Sequence, residues 1–199
     1  GGGPGGLGGP GQNGNNGGQA NDSTNQPLLP GSGGGGSWGS GGNGGAGGGA
    51  VSIVASGQVT IDGTISANGQ NYLSGRGGGG AGGAVFISGH TVWGTGGVIR
   101  ADGGTSGSYA GSGGGGRIAV AYDAAAQALI PGHTMRISAA RGGASAFYCG
   151  TIGTVFFPNA DLLMPTPLIN GAVYGFPAWA PPSLTVSNFW LRFAETNFQ

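Results

Sequence analysis

The chain has 199 residues, of which 53 are Gly and 11 are Pro, and only 6% of its residues are charged. Six Arg without any Lys, against six carboxylates, give a formal net charge of zero. No basic patch can therefore be assembled for nucleic-acid phosphates or for an anionic membrane surface.

This composition favours association of the chain with copies of itself. Glycine loses more backbone freedom on folding than any other residue, so packing within one chain has a large entropy to overcome. A surface with few charges has little self-repulsion. We therefore expect part of the order of this chain to come from assembly.

Residues 1–49 are a glycine-rich leader that we expect to pack on the rest of the chain. Its first 30 residues carry Gly and Pro at near-triplet spacing without the strict period of collagen. An extended glycine helix docked on the scaffold is the prediction, and a flexible tail is the alternative. The start at Gly1, without a signal peptide or a long apolar run, is interpreted as a processed or excerpted segment.

Residues 50–157 contain a repeat of about 34 residues. The sequence "GGGAVSI" around Val51 recurs around Val85 ("AGGAVFI") and Ile118 ("GGGRIAV"), and more loosely around Val155 ("IGTVFF"). A second element, "GTISANG", returns as "GVIRADG" and "MRISAARGG". The longer third interval fits an insertion within residues 123–133. Such recurrence is typical of solenoids.

Within one module the hydrophobic period is two, which predicts short strands with one buried face. Gly57 and Gly63 divide the alternating run 51–67 at bends. We predict an all-β solenoid, with an antiparallel β-sandwich carrying glycine-rich loops as the alternative. The residues expected inside are Val51, Ile53, Val59, Ile61, Ile65, Val85, Ile87, Ile99, Ile118, Val120 and Ile137.

Glycine-rich excursions separate the strand blocks, at residues 31–49, 69–83, 103–116 and 142–153. An ordered polyglycine segment favours the extended helix of the polyproline II type, whose backbone groups must pair with neighbouring segments. The runs 33–36, 77–80 and 113–116 are predicted to lie side by side, leaving no room for a side chain at Gly78 or Gly115. Each excursion also carries an aromatic residue, namely Trp38, Tyr72, Tyr109 and Tyr148. We predict that these four side chains stack as a ladder, and the alternative is that they are unrelated surface positions.

These motifs resemble known extracellular proteins. The pattern "GxIxA[ND]G" after an alternating strand is similar to the coils of secreted bacterial β-helix proteins of the filamentous-haemagglutinin type. "GGGGRIAV" followed by "GTIGTVFF" is similar to long glycine-rich repeat proteins on bacterial surfaces, and close-packed glycine helices resemble phage-fibre tip adhesins and a small glycine-rich antifreeze protein. The resemblance covers about residues 31–157 and implies an architecture, without any catalytic residue.

Residues 158–199 form a Pro- and aromatic-rich segment that we assign to assembly. After residue 153 only Gly171 and Gly175 remain, while nine of the 17 aromatic residues follow it. A piece this small cannot bury so much apolar surface alone. An exposed apolar strand suits addition to a neighbour's sheet edge, and a strand of the chain's own core is the alternative. The predicted interface residues are Leu184, Val186, Phe189, Trp190, Leu191 and Phe193.

The residue inventory argues against an enzyme. The carboxylates are scattered, Lys is absent, and His90 and His133 have no nearby Asp or Cys partner in sequence, so both are interpreted as structural. The single Cys149 is interpreted as a small buried hydrophobe, with an intermolecular disulfide as the alternative. We predict no catalytic residue, no cofactor and no metal site.

Two functions fit these observations. The first is a structural subunit of an extracellular self-assembling filament or surface fibre, whose partner is another copy of the chain. The second is an adhesin or tip module on the cell surface that binds a receptor or a cell-surface glycan through loop aromatics. One aromatic per loop, together with an apolar C-terminal segment, favours the first. Neither nucleic-acid binding nor membrane insertion is expected.

Overall fold

The structure is a computed structural model that describes residues 2–10, 17–37, 41–130, 132–143, 148–163, 169–175 and 191–193. In chain order its strands are β1 (Ala50–Val54), β2 (Gln58–Thr60), β3 (Thr64–Ser66), β4 (Ala84–Ser88), β5 (Thr91–Trp93), β6 (Val98–Arg100), β7 (Arg117–Ala121), β8 (Arg136–Ser138), β9 (Thr154–Phe156), β10 (Ile169–Tyr174) and β11 (Leu191–Phe193). One short helix, α1 (Ala124–Gln127), and a 3-10 turn (Asp161–Leu163) interrupt them.

The strands coil into a parallel β-solenoid with three faces. The first face carries β1, β4, β7, β9, β10 and β11 in spatial order, the second carries β2 and β5, and the third carries β3, β6, β8 and the start of β10. All nine pairings between the described strands are parallel. The predicted repeat fold is therefore confirmed, and the antiparallel sandwich is wrong.

The register of the first face follows the sequence repeat. Val51 pairs with Val85, Val85 with Ile118, and Ile118 with Val155. All eleven residues predicted to point inward belong to the core cluster or pack against it. Seven of them are buried, whereas Val51, Ile53, Val59 and Ile65 of the first coil are only partly buried.

The insertion predicted within residues 123–133 is the helix α1, which contacts β5 of the second face. Asp123 caps the helix, its Oδ1 accepting from the N–H of Ala126 at 2.9 Å. The buried side chain of Gln127 then pairs with the backbone of β5, as a neighbouring strand would. Its Oε1 accepts from the N–H of Val92 at 2.8 Å, and its Nε2 donates to the Val92 carbonyl at 2.9 Å. A single amide side chain thus satisfies two backbone groups that a third strand would have paired.

Polar side chains at the corners link consecutive coils. The carboxylate of Asp62 accepts from the N–H of Thr95 at 2.7 Å, and Asn68 Oδ1 accepts from the N–H of Asp102 at 2.8 Å. Asp102 in turn accepts from the N–H of Ala140 at 2.8 Å. Each side chain therefore caps a backbone amide about one module further along the chain.

The return from each excursion forms the central layer of a glycine array. The four central segments are residues 42–48, 77–83, 111–116 and 148–153, and each leads into the next strand of the first face. An outer layer holds the outgoing segments 67–73, 101–107 and 139–143, and the leader supplies the opposite layer with residues 31–37 and 2–9. Backbone hydrogen bonds join the layers to one another and also join adjacent segments within the central layer.

The hydrogen bonds of residues 77–83 show three residues per turn. Successive amides donate in rotation to three different neighbours: Gly78 and Ala81 to the leader carbonyls of Gly35 and Ser32, Gly79 and Gly82 to those of Gly111 and Gly114, and Gly80 and Gly83 to those of Gln70 and Ala67. Burial has the same period at the edge of the array, since Gly42, Gly45 and Gly48 are buried whereas Asn43 and Ala46 are exposed. Both observations agree with helices of the polyglycine II type.

The leader packs on this array. The N–H of Gly9 donates to the Ser112 carbonyl at 2.9 Å, and the N–H of Thr151 donates to the Leu7 carbonyl at 2.9 Å. On the outer face of the first sheet, Arg117 Nε donates to the Pro4 carbonyl and its Nη1 donates to Thr24 Oγ1 at 3.1 Å. These contacts place the described leader residues on the scaffold.

Glycine is required where the segments approach most closely. A Cβ added to Gly115 would lie 2.1 Å from the Ala139 carbonyl oxygen. At Gly78 the nearest atom, the backbone nitrogen of Gly35, would lie at 3.2 Å, so this position has more room than the sequence suggested. The room for a side chain therefore differs from one glycine of the array to another.

We expect Gly113→Ala to lower the free energy of unfolding by about 1–3 kcal/mol, because its Cβ would lie 1.9 Å from the Gly80 carbonyl oxygen. Gly35→Ala is the matched control, since no atom lies within 4 Å of its Cβ, and it should change stability by less than about 0.5 kcal/mol. Denaturant unfolding of both variants measures the difference. Equal stability would contradict the close packing.

Candidate assembly interface

The first sheet has β1 and β11 at its opposite sides. β1 pairs only with β4 among the described residues, and β11 pairs with β10 at the far end of the same face. Because every pairing is parallel, both strands run in the same direction. The two ends of the solenoid are therefore different surfaces, and each belongs to the same continuous sheet.

The coil that contains β1, β2 and β3 ends the solenoid without a covering strand in the part of the chain that the structure describes. Alternate residues of all three strands are exposed, including Val54 at 72%. The equivalent strand of the next coil, β4, is buried at four of its five positions. None of the three terminal strands contains a charged residue or Pro. Natural edge strands commonly carry such residues as protection against pairing.

The opposite end contains two of the predicted interface residues. Leu191 and Phe193 lie on β11 and pack, partly buried, against the core of their own chain. Arg192 between them is exposed. The other predicted interface residues, Leu184, Val186, Phe189 and Trp190, lie outside the described residues. That this segment makes the intersubunit contact stays a prediction.

A glycine at the corner of the last coil allows β10 to serve two faces. Ile169 pairs with Ile137 on the third face, and Ala172 pairs with Thr154 on the first. Between these pairs Gly171 has φ of 148°, a conformation that residues with a side chain rarely adopt. The chain thus turns directly from one face to the next without a glycine excursion, and this turn leads towards the β11 end.

Two of the four predicted ladder aromatics lie exposed on the excursions. Tyr72 is 40% exposed on the outgoing segment of one excursion, and Tyr109 is 50% exposed at the tip of the next. The Arg76 guanidinium lies 5.0 Å from the centre of the Tyr109 ring, within cation–π range. Tyr148 is half-buried at the start of a return segment, and Trp38 lies outside the described residues.

The tip turn at Tyr109 has an unusual backbone. Its φ of 63° is the only positive value at a non-glycine residue in the described ranges. An aromatic residue in this conformation is strained unless its surroundings hold it. The stacked Arg76 is one such contact, and sequence reasoning missed it because the two residues are 33 positions apart in different excursions.

The buried titratable groups have structural partners. Burial raises the pKa of Asp102, although the Ser138 hydroxyl and the Ala140 N–H both donate to its carboxylate. Tyr122 Oη donates to Asn159 Oδ1 at 2.7 Å, and burial raises its pKa as well. The charge of Arg100 acts on Asp102 and the charge of Asp161 acts on Tyr122, while the hydrogen bonds of both groups link one coil to the next.

His133 is buried and neutral at neutral pH. Its Nδ1 accepts from the N–H of Met135 at 3.1 Å, which leaves the ring proton on Nε2 to bond the Leu162 carbonyl at 2.9 Å. Burial lowers the pKa of His133 below 6.5, with the contact to Leu162 acting in the opposite direction. The prediction from sequence that His133 is structural agrees with this placement.

We expect the stability of the protein to fall as pH drops below about 6.5, because the unfolded chain takes up a proton there that folded His133 does not. The loss continues down to the folded pKa and reaches at most about 1.4 kcal/mol per pH unit. His133→Gln replaces the imidazole with an amide, which can accept and donate hydrogen bonds but does not titrate. The stability of wild type relative to this variant should therefore decrease from pH 7.5 to pH 5, and a relative stability that stays constant over this range would contradict the assignment.

Within the described ranges, no group of three or more His, Cys, Asp and Glu residues is arranged to hold a metal ion. The same residues include no helix with the length and apolar character needed to cross a bilayer. Cys149 is half-buried in a return segment of the array.

Comparison with known proteins finds no matching family model, no matching curated protein and no matching solved structure.

Proposed function

We propose that the chain is a structural subunit of an extracellular filament or surface fibre that assembles from copies of itself. One observation carries the proposal: in the part of the chain that the structure describes, the solenoid ends in a coil of three uncharged strands whose inward residues are half-exposed. A parallel sheet edge of this kind offers backbone donors and acceptors together with apolar side chains. Both are satisfied when another coil covers them.

The polarity of the sheet favours an open polymer over a closed dimer. The two ends of the solenoid differ, so a contact between one end and the other is heterologous. Such contacts generate filaments when the rotation between subunits does not close a ring. The absence of charged residues on β1, β2 and β3 removes the repulsion that would otherwise keep copies apart.

The glycine array suits a mechanical role. Backbone groups of successive segments are already paired with one another, so the array resists bending without needing large side chains. A rigid subunit transmits load along a fibre. Extracellular localisation is part of the proposal and is supported by the resemblance of the repeat motifs to surface proteins.

Purified protein should form unbranched filaments visible by negative-stain electron microscopy. Ile53→Lys should abolish them, because a charge placed on the half-exposed interior of the terminal coil would be buried by the next subunit. Leu129→Lys is the control, since Leu129 is 86% exposed at the end of α1 and should leave assembly unchanged. Wild-type protein that sediments only as a monomer over the micromolar range would contradict the proposed function.

A second function is favoured by the tip aromatics. Tyr72, Tyr109 and Arg76 present aromatic faces and a cation at the outer part of the array, a combination that suits stacking on sugar rings. If the chain is an adhesin, Tyr109→Ala should weaken binding to a glycan array at least tenfold. Leu129→Ala should have no effect, and an unchanged binding profile for Tyr109→Ala would reject this function.

A further inference from the structure

We propose that the tips of two neighbouring excursions bind an acidic sugar, with Arg76 holding the carboxylate of the sugar and exposed aromatic side chains contacting its ring. The tip site consists of residues 72–77 and 105–110. This inference rests on the second function proposed above, glycan binding, and names the class of glycan and the residue that selects it. Because the tip site lies on the excursions and not on the terminal coil, it does not depend on the proposed assembly.

Hydrogen bonds hold the two halves of the tip site against each other. The N–H of Gly107 donates to the Gly77 carbonyl at 2.9 Å, which joins one turn to the other. Within the second half, the buried hydroxyl of Ser106 donates to the Ala110 carbonyl at 2.7 Å. A surface that is already fixed in this way loses little conformational entropy when a ligand binds.

The backbone at Tyr109 is strained without a matching gain from burial. Its φ of 63° lies in the left-handed region, which glycine would adopt without strain. The Tyr109 side chain is nevertheless half-exposed, so packing of the ring in the protein does not explain a bulky residue at this turn. Strained residues of this kind cluster at ligand sites, where the strain holds a side chain in place for binding.

Arg76 supplies a positive charge that no carboxylate of the excursions balances. It is the only charged residue in the four excursions 31–49, 69–83, 103–116 and 142–153. Its exposed guanidinium lies 5.0 Å from the centre of the Tyr109 ring, and among the described residues no hydrogen bond or ion pair engages its N–H donors. A guanidinium stacked on a ring is held in position while its N–H groups stay available, and its planar fork matches a carboxylate.

The apolar surface around Arg76 is suited to a sugar ring. Tyr72 and Leu73 are exposed beside Tyr109, and the N–H of Tyr72 donates to the Thr105 carbonyl at 2.9 Å, which places it next to the second half of the site. Aromatic faces stack on the C–H groups of sugars. A peptide would instead need a free strand edge or an apolar groove, whereas the backbone of these turns is bonded within the array.

A glycan array tests the inference with the full chain. Each glycan that ends in a uronate or sialate is paired with the same glycan after reduction of its carboxylate to the alcohol. Wild-type protein should bind the acidic members at least about tenfold more tightly than their reduced counterparts, because a hydrogen bond to a charged group contributes about that factor or more.

Arg76→Gln should remove this preference, so that acidic and reduced glycans bind equally and about tenfold more weakly than the acidic glycans bind to wild type. Arg136→Gln is the matched control, since Arg136 is an exposed arginine on β8, outside the tip site, and should leave the preference unchanged. Tyr109→Gly removes the ring but suits the positive φ. It should weaken binding to both members of each pair without lowering the melting temperature.

Four results would overturn the inference. Equal binding of acidic and reduced glycans by wild type would leave glycan binding intact but reject the selection of a carboxylate. A preference for acidic glycans that survives Arg76→Gln would place the carboxylate contact elsewhere, and wild-type binding by Tyr109→Gly would remove the ring from the site. Preferential binding of an oligoglutamate peptide over the acidic glycans would assign the site to an acidic protein. Wild-type protein that binds no glycan on the array would instead reject the second proposed function itself, and this inference with it.

Discussion

The structure depends on the pairing of backbone amides in segments that have no side chains to bury. A polyglycine II helix makes no internal hydrogen bonds, so each amide must find a carbonyl on a neighbouring segment. In residues 77–83 six consecutive amides do so, donating in rotation to three different segments. Because an unpaired buried amide costs about 1–3 kcal/mol, no single segment is stable without its neighbours. The solenoid supplies the spacing that makes this possible, since each coil fixes where the next excursion begins and ends.

The strand repeat could be predicted from sequence because it depends on side chains. The inward parity of Val51 and its repeats, the bends at Gly57 and Gly63, and the insertion near residue 123 all leave a mark in the order of apolar and polar residues. The layer arrangement of the array leaves no such mark. Gly78 and Gly115 both lie within a run of four Gly residues, yet of the two only Gly115 would place an added Cβ 2.1 Å from a neighbouring carbonyl oxygen. Close approach of two backbones is a property of three dimensions that a run of Gly does not encode.

The candidate interface was predicted less completely for a similar reason. The aromatic content after residue 153 marks the C-terminal segment as unusual, whereas β1, which has no covering strand among the described residues, has an ordinary composition. Its importance follows only from comparison with β4, an equivalent strand that is buried. The corner links were not predicted, although their signal is present in the sequence: Asn68 and Asp102 are 34 residues apart, which is one module of the repeat. Arg76 and Tyr109 could not have been paired without the geometry of the excursions.

The corner links have a consequence for how a protein of this kind can change its length. Asp62, Asn68 and Asp102 each bond an amide in the following coil, at separations of 33, 34 and 38 residues. Duplication of a whole module would give every corner side chain an equivalent backbone amide in the next coil as its hydrogen-bond donor. Loss or gain of one residue within a coil would instead put strand parity, corner bonds and glycine layers out of phase together. Lengthening by complete turns is therefore tolerated where single-residue changes are not, except at sites such as α1, where a side-chain amide already stands in for a missing strand.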